Sequence, residues 1–130
     1  MDYSVQLRRR FGAPASAGEF PKQTPGVVLA AAQDRSLNVW VQFAVKSAGG
    51  TIQDLRYQVF GCPHTVAAAD WIAEALKGQP VDMLARIDLQ AVTQELGIPR
   101  DKFGKLLLIE DALIACAEQI QRQGKQKGID

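Results

Sequence analysis

The sequence predicts an α+β domain: a three-stranded antiparallel sheet packed against a set of helices. Strand-type segments fill the first half and helical ones the second, which favours segregated layers over a βαβ alternation. Leu37, Val39, Val41, Phe43 and Val45 share one face of an extended run, with Asn38, Trp40, Gln42 and Ala44 on the other. After Cys62 the apolar period changes from 2 to 3.6.

The elements follow in order. Tyr3 to Arg10 reads as a short helix, closed by the Gly- and Pro-containing loop Gly12 to Gly18. Gly26 to Ala32, with Val27, Val28 and Leu29, suits a first strand, and Gln33-Asp34-Arg35-Ser36 a turn. The alternating run is the second strand. Ser47-Ala48-Gly49-Gly50 is a hairpin connection to a third, carrying Ile52, Leu55, Tyr57 and Val59 with an irregularity expected at Asp54. Short connections between successive strands predict a meander.

Thr65, Ala69, Ile72 and Leu76 form a helical stripe widened by Val66, Trp71 and Ala73, and Gly78 is placed to end that helix. Val81 to Ile87 and Leu89 to Leu96 read as two shorter helical pieces, with Asp88 as cap of the second and Gly97-Ile98-Pro99 as its stop. A long last helix is expected from Arg100, turning Leu106, Ile109, Leu113, Cys116 and Ile120 inward. One domain over residues 1–123 is expected, with 124–130 a flexible tail that has nothing to bury.

With 130 residues the chain is long enough for a continuous core without disulfides. A net charge of +1 supplies no global field for nucleic acid or an anionic membrane, and no apolar run approaches the roughly 20 residues of a membrane helix. Neither is expected as a partner. Arg8-Arg9-Arg10 reads as a solvated face. Two cysteines and no signal-peptide pattern suggest free thiols and a cytoplasmic protein.

Chemistry concentrates at Gly61-Cys62-Pro63-His64. Pro63 suits the first helical position, which makes Cys62 the cap residue, and the helix dipole favours a thiolate there. The same dipole disfavours charge on His64, so a neutral imidazole stands two residues from a thiolate, a usable second ligand for a borderline metal. The competing reading is a small buried cap followed by an exposed histidine. Two ligands fall short of the about four that a closed zinc or iron-sulfur site takes. Cys116 shares the apolar stripe of the last helix and reads as core. Glu110-Asp111 and Asp54 read as isolated acids, and no phosphate loop or dinucleotide fingerprint occurs.

An ordered series of segments along nearly the whole chain resembles the IscU/NifU-type iron-sulfur cluster assembly scaffolds. It comprises Tyr3-Ser4, Arg10 to Phe20, Ile52 to Cys62 with its aromatic before Gly-Cys, Ala67-Ala68-Ala69-Asp70, Leu76-Lys77-Gly78 and Glu110-Asp111-Ala112-Leu113. The resemblance implies a non-enzymatic scaffold that binds iron, a cluster or transferred sulfur at a site centred on Cys62, with His64 as the second metal ligand. It implies a cysteine desulfurase and other cluster-assembly proteins as partners, and it leaves a homodimer open. Iron or an iron-sulfur cluster is the implied cargo, with zinc and no metal as the alternatives.

The family pattern has three cysteines, an aspartate near the first and a histidine beside the third. Here Arg35-Ser36-Leu37 falls where the family has Cys-Gly-Asp, and Gly104-Lys105 where it has His-Cys. Arg35, Gly104 and Lys105 are therefore expected to line the site, with two cations lowering the Cys62 pKa. The family's chaperone-recognition segment is reduced to Ile98-Pro99-Arg100-Asp101-Lys102, leaving Pro99 and Lys102 as candidate partner-binding residues. The alternative function is a degenerate scaffold paralogue that acts as a non-metal interaction or regulatory module in cluster assembly.

Overall fold

A computed structural model describes residues 17–21 and 24–129, with side chains through residue 123. The expected helix Tyr3 to Arg10, the arginine triplet and the loop from Gly12 to Ser16 lie outside the described residues.

Strands β1 (Val27–Asp34), β2 (Val39–Ala48) and β3 (Thr51–Phe60) form an antiparallel meander in that order. Asp34 pairs with Val39 and Trp40 with Phe60, so the β1–β2 turn and the end of β3 share one end of the sheet. Leu37, expected on the second strand, instead belongs to that turn and is exposed. Asp34 explains why the strand starts late. One of its carboxylate oxygens accepts hydrogen bonds from the Ser36 amide at 2.9 Å, the Ser36 hydroxyl at 2.5 Å and the Leu37 amide at 3.2 Å. Those bonds hold its carboxyl below the usual range, and Asn38 follows at φ 55, a left-handed position that asparagine tolerates.

The β2–β3 register shifts between Lys46 and Ser47, opposite Asp54 and Ile52, beside the position expected to be irregular. Asp54 is not isolated: it bonds the Leu55 amide and pairs with Arg56 at 3.7 Å and Lys77 at 3.5 Å, tying β3 to the end of the following helix. Gly26 precedes β1 at φ +77, and a Cβ there would stand 2.8 Å from the Ser47 carbonyl oxygen. Its own carbonyl accepts the Ser47 amide. Gly26→Ala is therefore expected to cost about 1–2 kcal/mol or more, read as a lower urea midpoint with an unchanged slope.

Helix α1 (Pro63–Leu76) packs on β3, and α3 (Phe103–Ile129) on β1 and β2; between them lie a 3₁₀ turn (Val81–Ala85), α2 (Leu89–Leu96) and a second 3₁₀ turn (Arg100–Lys102). Asp88 caps α2 by accepting the Ala91 amide, and Gly97 ends it in the left-handed conformation. The two 3₁₀ turns replace α-helix expected over Val81 to Ile87 and at Arg100 to Lys102. Each follows a proline, Pro80 or Pro99, whose fixed φ starts a tight turn that is not propagated. Helix α3 runs past Gln123, where the sequence reading ends the folded part, to Ile129.

The core is one layer between the sheet and the helices. Val41, Phe43, Val45, Ile52 and Leu55 from the sheet meet Ala67, Ala69, Ile72 and Ala73 of α1 and Leu106, Ile109, Leu113 and Cys116 of α3. Among the described residues no helix is long and apolar enough to cross a membrane. The far face of the sheet is partly covered. Residues 17–21 run beside and across it: the Gly18 amide donates to the Tyr57 carbonyl, Gln58 donates to Glu19, and Arg56 stacks 4.9 Å over the Phe20 ring. Ala44, on the face opposite Phe43 as expected, is buried near this segment.

Candidate functional site

Chain direction builds the site. β3 ends at Phe60, Gly61 and Cys62 cross from sheet to helix, and Pro63 starts α1. Cys62 is the cap residue in extended conformation (φ −80, ψ 167), and its carbonyl accepts the Thr65 and Val66 amides at 3.0 and 3.2 Å. Its side chain completes no cap hydrogen bond. The sulfur is instead 3.5 Å from the Thr65 hydroxyl and 3.9 Å from His64 Nδ1.

Cys62 is half-buried, and burial alone would raise its pKa. That is outweighed by the Thr65 hydroxyl, the amides of Thr65 and His64 and the charge of Lys105, which together hold the thiol below its ordinary 9.0. His64 is 3% exposed, which corrects the reading of an exposed first-turn histidine. Burial, Lys102 and Lys105 push its pKa down from 6.5 against an opposing pull from Asp101. The imidazole is neutral at pH 7. The pair is thus a thiol more acidic than an ordinary cysteine beside a neutral ring, a donor set for a borderline metal rather than an ion pair.

Of the expected lining residues, Lys105 is brought to the site from the first turn of α3, and its neighbour Gly104 is exposed with open space where a Cβ would be. Arg35 sits exposed in the β1–β2 turn, at the same end of the sheet, and the charge that acts on Cys62 is that of Lys105. Pro99 is exposed as the residue before the second 3₁₀ turn. Lys102 stands in that turn with its charge on His64, so a residue assigned to partner binding also belongs to the electrostatics of this site.

Sequence reasoning missed Thr65 as a partner of the sulfur. The signal was available, since a residue three past the cap sits where a side chain can reach back to it. It also missed the buried hydrogen bond from the Tyr57 hydroxyl to Asp70 at 3.1 Å, which joins β3 to α1. Cys116 is core as expected: its thiol donates to the Phe43 carbonyl at 3.7 Å, and burial pushes its pKa up to about 12.

Residues 2–127 match the family described as the NifU-like N terminal domain. The chain belongs to that family. Among relatives of the NifU-like chain, the iron-sulfur cluster assembly protein IscU of Plasmodium falciparum is 26% identical over 112 residues, covering 86% of this chain and 69% of that protein. Iron-sulfur cluster assembly protein 3 of Arabidopsis thaliana is 28% identical over 128 residues, 97% of this chain and 75% of its own. The chain spans 54% of another relative, the mitochondrial iron sulfur cluster assembly protein 1 of Candida glabrata. The fold matches the crystal structure of a NifU-like N-terminal protein from Brucella abortus with a TM-score of 0.74 at 18% identity, over 92% of this chain and 94% of that one.

The family's cargo tests the donor set. Among the described residues no group of three or more His, Cys, Asp or Glu side chains gathers to hold a metal. A closed cluster on one NifU-like chain of this sequence therefore does not fit. What fits is an edge of a site, the Cys62 sulfur with the His64 nitrogen beside it.

Proposed function

We propose that this chain is an iron-sulfur cluster assembly protein of the scaffold type whose working group is the Cys62 thiol, holding iron, a cluster or transferred sulfur as cargo. Family membership supports the assembly role. The observation that carries the residue assignment is a half-buried thiol at the start of α1, made more acidic by its neighbours, with its sulfur 3.5 Å from the Thr65 hydroxyl and 3.9 Å from a buried imidazole.

Sulfur transfer needs only that thiol. The Cys62 thiolate attacks the outer sulfur of a persulfide on a cysteine desulfurase, the enzyme's own thiolate leaves, and Cys62 becomes the persulfide with no net change in oxidation state. The Thr65 hydroxyl and the Lys105 charge orient and stabilise the attacking anion. Iron held by Cys62 and His64 would take its remaining ligands from outside the chain; zinc suits the same pair. The chain carries cargo and turns over no substrate of its own, and its two free thiols suit the reducing cytoplasm.

The test is anaerobic incubation with iron, a cysteine desulfurase and cysteine. The expected result is a mass increase of one sulfur atom on the Cys62 peptide or bound iron with a visible chromophore, and neither in Cys62→Ala. Absence of iron, chromophore and persulfide in the wild type overturns the assignment. A second reading, a non-metal module that keeps the scaffold surface, is favoured by Arg35, Leu37, Gly104 and Lys105 at the family's other ligand positions. It predicts that the desulfurase co-purifies equally with wild type and Cys62→Ala. Failure to recover any assembly protein with either chain counts against it.

A further inference from the structure

The far face of the sheet carries a cavity that the Cys62 site does not use. It lies between residues 18–21 and the middle of the sheet, has a volume of about 380 Å³, and takes no lining residue from α1 or α3. Small-molecule sites occur over a range of about 300–1,000 Å³.

Cross-strand pairing lays out its floor. Leu29, Ala44 and Arg56 stand in one row across β1, β2 and β3, and Ala31, Gln42 and Gln58 stand in the next. Neighbouring strands lie about 4.8 Å apart, so the row from Leu29 to Arg56 spans about 10 Å. Its centre is low, because Ala44 offers only a methyl group. The two ends differ in chemistry.

Leu29 is 53% exposed, an apolar side chain open to solvent. Arg56 holds its guanidinium over the Phe20 ring, 4.9 Å from the centroid, gives Nη1 to the Glu19 carbonyl at 3.3 Å and turns Nε toward Asp54 at 3.7 Å. Among the described residues nothing takes its Nη2 donors. Asp54 is shared, since the same carboxylate pairs with Lys77 at 3.5 Å. The Glu19 carboxylate, the only acid among the described lining residues, is engaged by Gln58 at 2.8 Å. Gln42 is half-buried in the central strand, and its side-chain amide has no hydrogen-bond partner among the described residues.

We propose that this cavity binds a small monocarboxylate with an apolar body: the carboxylate on Arg56 with Gln42 as a second donor, the body across Ala44 and the far end on Leu29. The open edge of Arg56 offers a carboxylate the parallel N–H pair that a lysine lacks. Its stacking on Phe20 fixes the guanidinium before a ligand arrives, so less freedom is lost on binding. The site is independent of Cys62 and of its cargo.

The probe is phenylbutyrate, titrated into the isotope-labelled full chain and followed by amide chemical shifts, with phenylbutanol as its uncharged counterpart. Saturable shifts are expected at Leu29, Gln42, Ala44 and Gln58, the Gln42 side-chain amide included. The acid should bind at least about tenfold more tightly than the alcohol, because its hydrogen bonds to Arg56 are charge-assisted. Arg56→Gln should remove that preference. Leu29→Gln, a change at an exposed position, should weaken acid and alcohol alike. Shifts that fail to saturate, or that centre on α1 and α3, overturn the site. An alcohol that binds as tightly as the acid, or an Arg56→Gln chain that keeps the preference, overturns Arg56 as the anchor.

Discussion

Iodoacetamide is expected to alkylate Cys62 in the folded chain, with a rate profile whose midpoint lies below 9.0, and to leave Cys116 unmodified under the same conditions. The two thiols differ by environment alone. Cys62 has a hydroxyl, two amides and a lysine favouring its anion, whereas Cys116 sits fully buried with a carbonyl oxygen as partner. At neutral pH the Cys116 thiolate is rarer by orders of magnitude and out of reach. Thr65→Val should raise the Cys62 midpoint more than Lys105→Ala does, because the hydroxyl bonds the sulfur while the ammonium acts through space. Equal labelling of both cysteines, or a Cys62 midpoint at or above 9.0, would show that the Thr65 contact does not govern the thiol.

The same two shifts act on stability with opposite signs. Cys62 has a depressed folded pKa, so its contribution is present above the unfolded value of 9.0 and is lost as pH falls through the folded one. Cys116 has a raised folded pKa. Its contribution is complete below 9.0 and disappears as pH climbs from there toward about 12. Alkaline unfolding should therefore be delayed by Cys116→Ala relative to its own stability at pH 8, when urea midpoints are compared between pH 8 and 11.

Phe43→Ala is expected to cost about 3–5 kcal/mol, measured as a drop in urea midpoint. Its ring is fully buried in the middle of β2, and its centroid lies 6.2 Å from that of Tyr57. Its removal opens a cavity under both long helices. A loss below about 1 kcal/mol would mean that the helices settle into the gap and that the layer is less tightly packed than described.

How much was legible beforehand follows from what each feature depends on. The meander was legible because Val39, Val41, Phe43 and Val45 alternate strictly, and α1 because Thr65, Ala69, Ile72 and Leu76 repeat at helical spacing. Leu37 continues the alternation on paper but not in space, since three hydrogen bonds to Asp34 bend the chain before the pairing starts. Cys62 and His64 were found as a pair because they are adjacent in the chain. Lys105 was expected at the site from the family resemblance, but the full burial of His64 and the reach of Lys102 to it, forty residues beyond Cys62, depend on how the chain before α3 docks, and no local spacing encodes that.

The face that α1 turns to the sheet is built largely of alanine: Ala67, Ala68, Ala69 and Ala73 are all fully buried. Alanine has no rotamer to adjust, so at these four positions helix and sheet have little slack to absorb a larger side chain. The cysteine rides on the end of that helix. A single added methylene at Ala69 or Ala73 would tilt the whole rod, and the displacement would be largest at its ends. The sulfur's address is therefore set by side-chain volume two to three turns away, as a lever sets the position of its tip.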